Sequence, residues 1–273
     1  MAATTDDDEQ QAEAPAADST PDPTPDSSTA SGTDSTTGPA PDSAPAPAPR
    51  RRGRGPVAMA VSVFGELLIT AGLVLGLFVV YSLWWTNVIA DREANKQGDR
   101  VRDRWAGGPG NIDTKDGIGF LHVPAMGGGE VLVKEGTSHK VLNDGVAGYY
   151  KDPIKSALPE DKEGNFTLAA HRDGHGAKFH EIDKIKKGDA IIYESRDKWY
   201  VYKVYATLPE TSKYNVKVLK PIPKESGAKK PGRYITLTTC TPVYTSNYRY
   251  VVWGELERIE KVDNKRTPPA ELR

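Results

Sequence analysis

The 273-residue chain predicts an all-β domain, a barrel or a sandwich, carried behind one transmembrane helix and a disordered N-terminal tail. Two observations carry the fold class. First, β-branched and aromatic residues recur in short runs at Ile118 to Val123, Glu130 to Lys134, Phe166 to Ala170, Ala190 to Tyr193, Trp199 to Leu208, Tyr234 to Thr239 and Tyr248 to Leu256. Such side chains pack well on a pleated surface and lose rotamer freedom in a helix, so these runs are strands. Second, Gly, Pro and Asn clusters separate the runs. Within this domain helical periodicity is limited to a short piece near Lys178 to Ile185, where Phe179, Ile182 and Ile185 share a face. No internal repeat is visible, and about 150 residues suffice for one such domain.

In chain order, residues 1–55 read as an acidic tail rich in Pro, Ala, Ser and Thr that ends in an Arg cluster. Large apolar side chains are almost absent there, so nothing offsets the entropy of ordering it. Residues 56–86 form a transmembrane signal-anchor helix. From Val57 to Trp85 the single charge is Glu66, and the 19 residues from Leu67 to Trp85 alone reach across a bilayer core. Residues 87–114 are a stalk and linker, with a short helix from about Asn87 to Trp105 and a hinge at Gly107-Gly108-Pro109-Gly110. Residues 115–260 are the folded domain, and 261–273 a flexible C-terminal tail.

Orientation follows from charge. Arg50, Arg51, Arg52 and Arg54 precede the span, whereas Asp91, Arg92 and Glu93 are mixed beyond it, with Tyr81, Trp84 and Trp85 at that boundary. A basic cluster stays cytoplasmic and aromatic rings settle among headgroups, so the folded domain is expected outside the cell membrane. A cleaved signal peptide has a shorter apolar core nearer the start. Ten of the 37 acidic residues fall in the first 49, leaving 36 basic against 27 acidic residues in the remainder. That basic balance suits anionic lipid or an anionic cell wall. Nucleic acid is not an expected partner, since only Trp199 to Tyr205 faintly resembles an aromatic-basic strand face.

Cys240 is the chain's one cysteine, and in an oxidising compartment it has no intramolecular disulfide partner. It ends the strand Thr236-Leu237-Thr238-Thr239-Cys240, before Thr241-Pro242. A strand end holds a side chain rigidly at a cleft, the right place for a nucleophile. The competing reading is a small residue filling core space. Suitable partners lie at other strand edges: His171, in Ala169-Ala170-His171-Arg172, and Arg249, in Tyr248-Arg249-Tyr250-Val251-Val252-Trp253-Gly254. A nearby cation maintains the thiolate, and an imidazole can protonate a leaving amine. His122, His139, His175 and His180 compete with His171 on spacing alone.

The Thr-Leu-Thr-Thr-Cys segment resembles the sortase signature Thr-Leu-X-Thr-Cys. The Ala-Ala-His-Arg and Tyr-Arg-Tyr-Val-Val-Trp-Gly segments resemble that family's histidine segment and arginine strand, in the same order. The resemblance covers roughly residues 115–257, and the anchor with its acidic tail is similar to class E sortases of actinobacteria. It implies a closed eight-stranded β-barrel with short helices and a cysteine transpeptidase. Cys240 would be the nucleophile, His171 the general acid and base, and Arg249 the cation that orients substrate or stabilises an oxyanion. The implied substrates are surface proteins bearing a Leu-Ala-X-Thr-Gly or Leu-Pro-X-Thr-Gly sorting signal, cut between Thr and Gly. The implied acceptor is an amine of a peptidoglycan precursor. No cofactor or metal is implied for this class; Glu160, Asp161 and Glu163, a possible calcium cluster by analogy with another class, read as solvated loop charges. Class E members commonly carry a His after the Cys, whereas this chain has Thr241.

Two other functions stay open on sequence. Another extracytoplasmic cysteine peptidase or an L,D-transpeptidase would share the thiol and the His, although the latter's Ser-His-Gly-Cys is absent. A catalytically inactive, membrane-tethered binding barrel would bury an unreactive thiol.

Overall fold

The computed structural model describes residues 55–108, 116–127 and 129–273. The acidic tail, the Arg cluster and most of the hinge lie outside them. Helix α1 (Pro56–Val80) is long and apolar enough to cross a bilayer, and none of its residues is buried. A π-helical turn, Tyr81–Trp85, joins it to α2 (Thr86–Ala106).

Eight strands close into a barrel in the order β1-β2-β3-β4-β7-β8-β6-β5. They are β1 (Gly119–His122), β2 (Glu130–Glu135), β3 (Ala147–Tyr149), β4 (Gly164–Ala169), β5 (Ala190–Glu194), β6 (Lys198–Ser212), β7 (Arg233–Thr241) and β8 (Tyr248–Lys261). The seven runs read from sequence each hold a strand, and β3 is the eighth. The piece expected as a helix near Lys178 to Ile185 contains only a 3-10 turn, Ile182–Lys184, yet Phe179, Ile182 and Ile185 are all buried as their shared face requires.

Side chains alternate across each strand, and that alternation organises the site. On β7, Ile235 and Leu237 point into the barrel core with Phe166 and Leu168 of β4 and Val252 of β8. Their neighbours Thr236, Thr238 and Cys240 therefore face outward. The parallel pairing of β4 with β7 sets Thr167 beside Thr236 and Ala169 beside Thr238. The antiparallel pairing of β7 with β8 sets Trp253 opposite Thr236 and Arg249 opposite Cys240. Lower on this outer face, Trp253 and Val251 are covered by Val218 and Leu219, and the Trp253 indole N–H donates to the Val218 carbonyl at 3.1 Å.

Two segments differ from the sequence expectation. Residues 87–106, read as a stalk, pack on the barrel through Ala90, Ala94, Gly98 and Val101, one helical stripe of small residues that lets the helix axis come close. Trp105 meets Phe120 edge-on at 5.4 Å between ring centres. The C-terminal residues, read as a flexible tail, also return to the barrel. Arg266 donates to the buried carboxylate of Glu194 at 3.0 Å, Glu271 accepts from Arg258 at 2.7 Å, and Leu272 packs near Trp199. Paired charges on both sides explain the docking better than apolar area, which is why hydropathy did not mark it.

Candidate active site

Cys240 is the penultimate residue of β7 and sits half-buried, in outward phase with Thr236 and Thr238. Its cross-strand neighbour is Arg249. The Arg249 Nη1 donates to the carbonyls of Ser246 at 3.1 Å and Tyr248 at 2.9 Å, which fixes the guanidinium while engaging one of its three nitrogens. His171 follows β4 in the same outward phase, because Phe166, Leu168 and Ala170 take the core positions. The Ala170 N–H donates to the Thr238 carbonyl at 3.3 Å, and the Thr239 hydroxyl donates to the Ala170 carbonyl at 2.8 Å. These bonds continue the β4–β7 pairing past the strand end and carry His171 to the level of Cys240. All three residues line one open cleft of about 1030 Å³.

Burial holds the His171 imidazole below its ordinary pKa, and the like-charged rings of His175 and His139 push it the same way against the opposing pull of Asp173. The ring centres lie 5.6 Å and 6.1 Å away. A neutral imidazole is therefore favoured near neutral pH and can accept a proton. His171 Nε2 is 2.9 Å from the Asn143 carboxamide oxygen; an oxygen accepts, so Nε2 carries hydrogen and Nδ1 is left to exchange a proton.

The competing histidines separate by place. His139 and His175 line the same cleft as His171. His180 Nδ1 lies 2.8 Å from the Arg172 carbonyl. His122 is buried elsewhere, 3.0 Å from Glu194. With Glu130 and Glu194 it forms a group whose ligand atoms converge, but Arg102 and Arg266 both donate to Glu194, and Arg102 also to Glu130. Two guanidiniums already supply the positive charge a metal would bring. Of the loop acids, Asp161 accepts from the Leu158 N–H at 2.8 Å, a local turn contact.

Thr241, where a His was the pattern, is buried, and its hydroxyl accepts from Arg172 Nη1 at 2.9 Å. Arg172 is paired in turn with Asp183 at 3.0 Å. The position after the cysteine thus braces the turn that follows His171. Sequence reading missed Asn143 and Tyr150. The Tyr150 hydroxyl lies 2.9 Å from the Thr238 hydroxyl; desolvation raises its pKa, and Arg249 and Cys240 are close enough to act on it as charges. A Gly-Tyr-Tyr run beside a three-residue strand carries no pattern that marks it.

A closed barrel whose outer face presents a thiol, an imidazole and a guanidinium at one cleft has the groups that cysteine acyl transfer needs. Residues 121–257 match the family described as the Sortase domain, and the chain belongs to that family of cysteine transpeptidases. It is 71% identical over 234 residues to Sortase SrtE2 of Streptomyces coelicolor, covering 82% of this chain and 92% of that one. To Sortase SrtE1 of the same organism it is 45% identical over 223 residues, 80% of this chain and 63% of that one. The crystal structure of Sortase E1 from Streptomyces coelicolor with a tripeptide in the active site superposes with a TM-score of 0.55 at 44% identity, covering 60% of this chain and all of that one. The likeness is to class E sortases.

Proposed function

We propose that this sortase cleaves a C-terminal Leu-Ala-X-Thr-Gly or Leu-Pro-X-Thr-Gly sorting signal between Thr and Gly and passes the protein to an amine of a peptidoglycan precursor. The observation that carries the reading is the shared outward phase of Cys240 on β7, Arg249 on β8 and His171 just past the end of β4, at one cleft. The tripeptide held in the active site of Sortase E1 supports a peptide occupant here.

In this reading His171 takes the thiol proton and Cys240 Sγ attacks the Thr carbonyl carbon. The carbon–sulfur bond forms, the bond to the Gly nitrogen breaks, and His171 returns its proton to the departing amine. The incoming amine then attacks the thioester, loses a proton to His171, and expels Sγ. Arg249 stays protonated throughout and so serves as an electrostatic clamp on substrate and oxyanion, never as a base. Helix α1 anchors the chain with its N-terminus cytoplasmic, supported by the Arg cluster before the span and the aromatic residues after it.

The test is cleavage of fluorogenic peptides of both kinds by the full chain in nanodiscs, with and without added amine, beside Cys240→Ala. Amine-dependent ligated product that disappears in the variant supports the reading. Hydrolysis alone at every amine concentration, or activity that survives in Cys240→Ala, overturns it.

A further inference from the structure

The loop that follows His171 has a course that ordinary residues avoid. Gly174, His175, Gly176 and Ala177 have φ of 64°, 47°, 81° and 39°, four successive left-handed residues of which two carry a Cβ. Such a run persists only where its surroundings hold it. Within the loop, the Ala177 N–H donates to the Gly174 carbonyl at 2.8 Å. The outer hold comes from α2. The Asn87 carboxamide oxygen accepts from the Gly176 N–H at 2.9 Å, and Asp91 pairs with Lys178 at 2.7 Å. Directly before these residues, Ser82 and Thr86, one helical turn apart, line the same cleft as Cys240 and His171. Ala90, on the same stretch, packs closely enough on Gly145 that a Cβ there would lie 2.9 Å from the Ala90 carbonyl oxygen.

We propose that the helical segment continuing from the membrane span is part of the catalytic apparatus. Ser82 and Thr86 form a wall along the peptide's path, and Asn87 with Asp91 clasps the loop from His171 to Lys178. The inference rests on the transpeptidase reading of this cleft and adds positioning residues to it. His175 links the two roles, since its backbone lies inside the clasped run and its ring stands 5.6 Å from that of His171. Seating of the anchor helix thereby controls how His171 is presented to Cys240. The segment is no passive tether.

The experiment uses the full chain in nanodiscs and two readouts: steady-state peptide cleavage, and the pH dependence of Cys240 alkylation by iodoacetamide, which needs no peptide. In Asn87→Ala/Asp91→Ala we expect kcat to fall about tenfold, because loss of positioning acts on the chemical step, and the alkylation midpoint to move by about half a pH unit. Exchange of the pair, Asp91→Lys with Lys178→Asp, should recover kcat to within about threefold of the wild type. Thr86→Trp, which narrows the wall without touching the clasp, should raise KM about tenfold at an unchanged alkylation midpoint. Unchanged kcat and midpoint in the double variant overturn the clasp, and an unchanged KM in Thr86→Trp overturns the wall. Cys240→Ala, run alongside, separates these outcomes from failure of the nucleophile assignment.

Discussion

At Cys240 the decisive fact is phase. One step along β7 would turn its thiol into the core among Ile235 and Leu237, where it would be inert. Arg249 is held opposite by strand register and by two backbone carbonyls, so its contribution depends on the planar fork as well as on charge. Arg249→Lys keeps the charge and loses that geometry; kcat/KM for peptide cleavage should fall about a hundredfold. The His171 ring carries a pH prediction. Burial depresses its pKa first, and His175 and His139 add to the depression. A depressed pKa keeps the imidazole neutral further into acid, so the acid limb of the pH profile of kcat/KM lies below the usual histidine range. Replacing His175 or His139 by Ala removes one like charge and should move that limb to higher pH. A limb that stays in place or moves to lower pH would mean that these rings do not act on His171. The three candidate residues could be picked from the sequence because each stands in a recognisable segment at a strand edge, and the structure brings them to one cleft. Asn143 and Tyr150 were not, because a turn asparagine and a tyrosine beside a short strand look the same whether or not they meet a histidine or a threonine across the fold.

Among the elements, the strands that announced themselves are those whose residues serve packing on both faces. In β8, Tyr250 and Val252 join the barrel interior while Val251 and Trp253 join the outer cover, so apolar residues run without a break. β3 was hidden for the opposite reason. Its central Gly148 lies so close to Gly136 that a Cβ would fall 2.0 Å from that residue's carbonyl oxygen, and the close approach demands the residue that strand propensity disfavours. α2 was legible as a helix but not as a packed one, because its buried stripe is alanine and glycine rather than leucine. The outer cover under the cleft is testable at Trp253, which is 1% exposed. Trp253→Ala should destabilise the domain by about 3–5 kcal/mol, read by urea denaturation. A loss below about 1 kcal/mol would mean that the 216–219 turn collapses onto the vacated space. Trp253→Phe keeps most of the volume and loses the bond to Val218, so it should fall between that variant and the wild type.

Across the whole molecule, α2 is a strut. Its 21 residues span about 31 Å at 1.5 Å per residue, from the cleft wall at Thr86 to the far pole at Arg102 and Trp105. There Glu194, nearly inaccessible at the end of β5, gathers Arg102 from α2, His122 from β1 and Arg266 from the C-terminal segment. Burial alone would raise the Glu194 carboxyl, but the hydrogen bonds from His122, Arg102 and Arg266 outweigh it and hold the pKa at about 2. A carboxylate depressed in the folded state contributes stability that is fully present above its unfolded pKa and is lost as pH falls towards its folded one. The contribution should therefore be constant from neutral pH to about 4.5 and disappear between there and about 2. Glu194→Gln leaves two guanidiniums facing a neutral amide, and breaking such a buried network costs about 3–5 kcal/mol at neutral pH. In denaturation series from pH 7 to pH 2.5, the stability gap between wild type and Glu194→Gln should hold steady down to about 4.5 and then narrow. A gap that stays constant throughout would show that shape, not ionisation, is what Glu194 contributes. If the gap narrows, the same titration should loosen α2 and the C-terminal segment together, because Arg102 and Arg266 share the one carboxylate. Hydrogen exchange in both segments should then rise over the same pH interval, before the barrel's own amides lose protection.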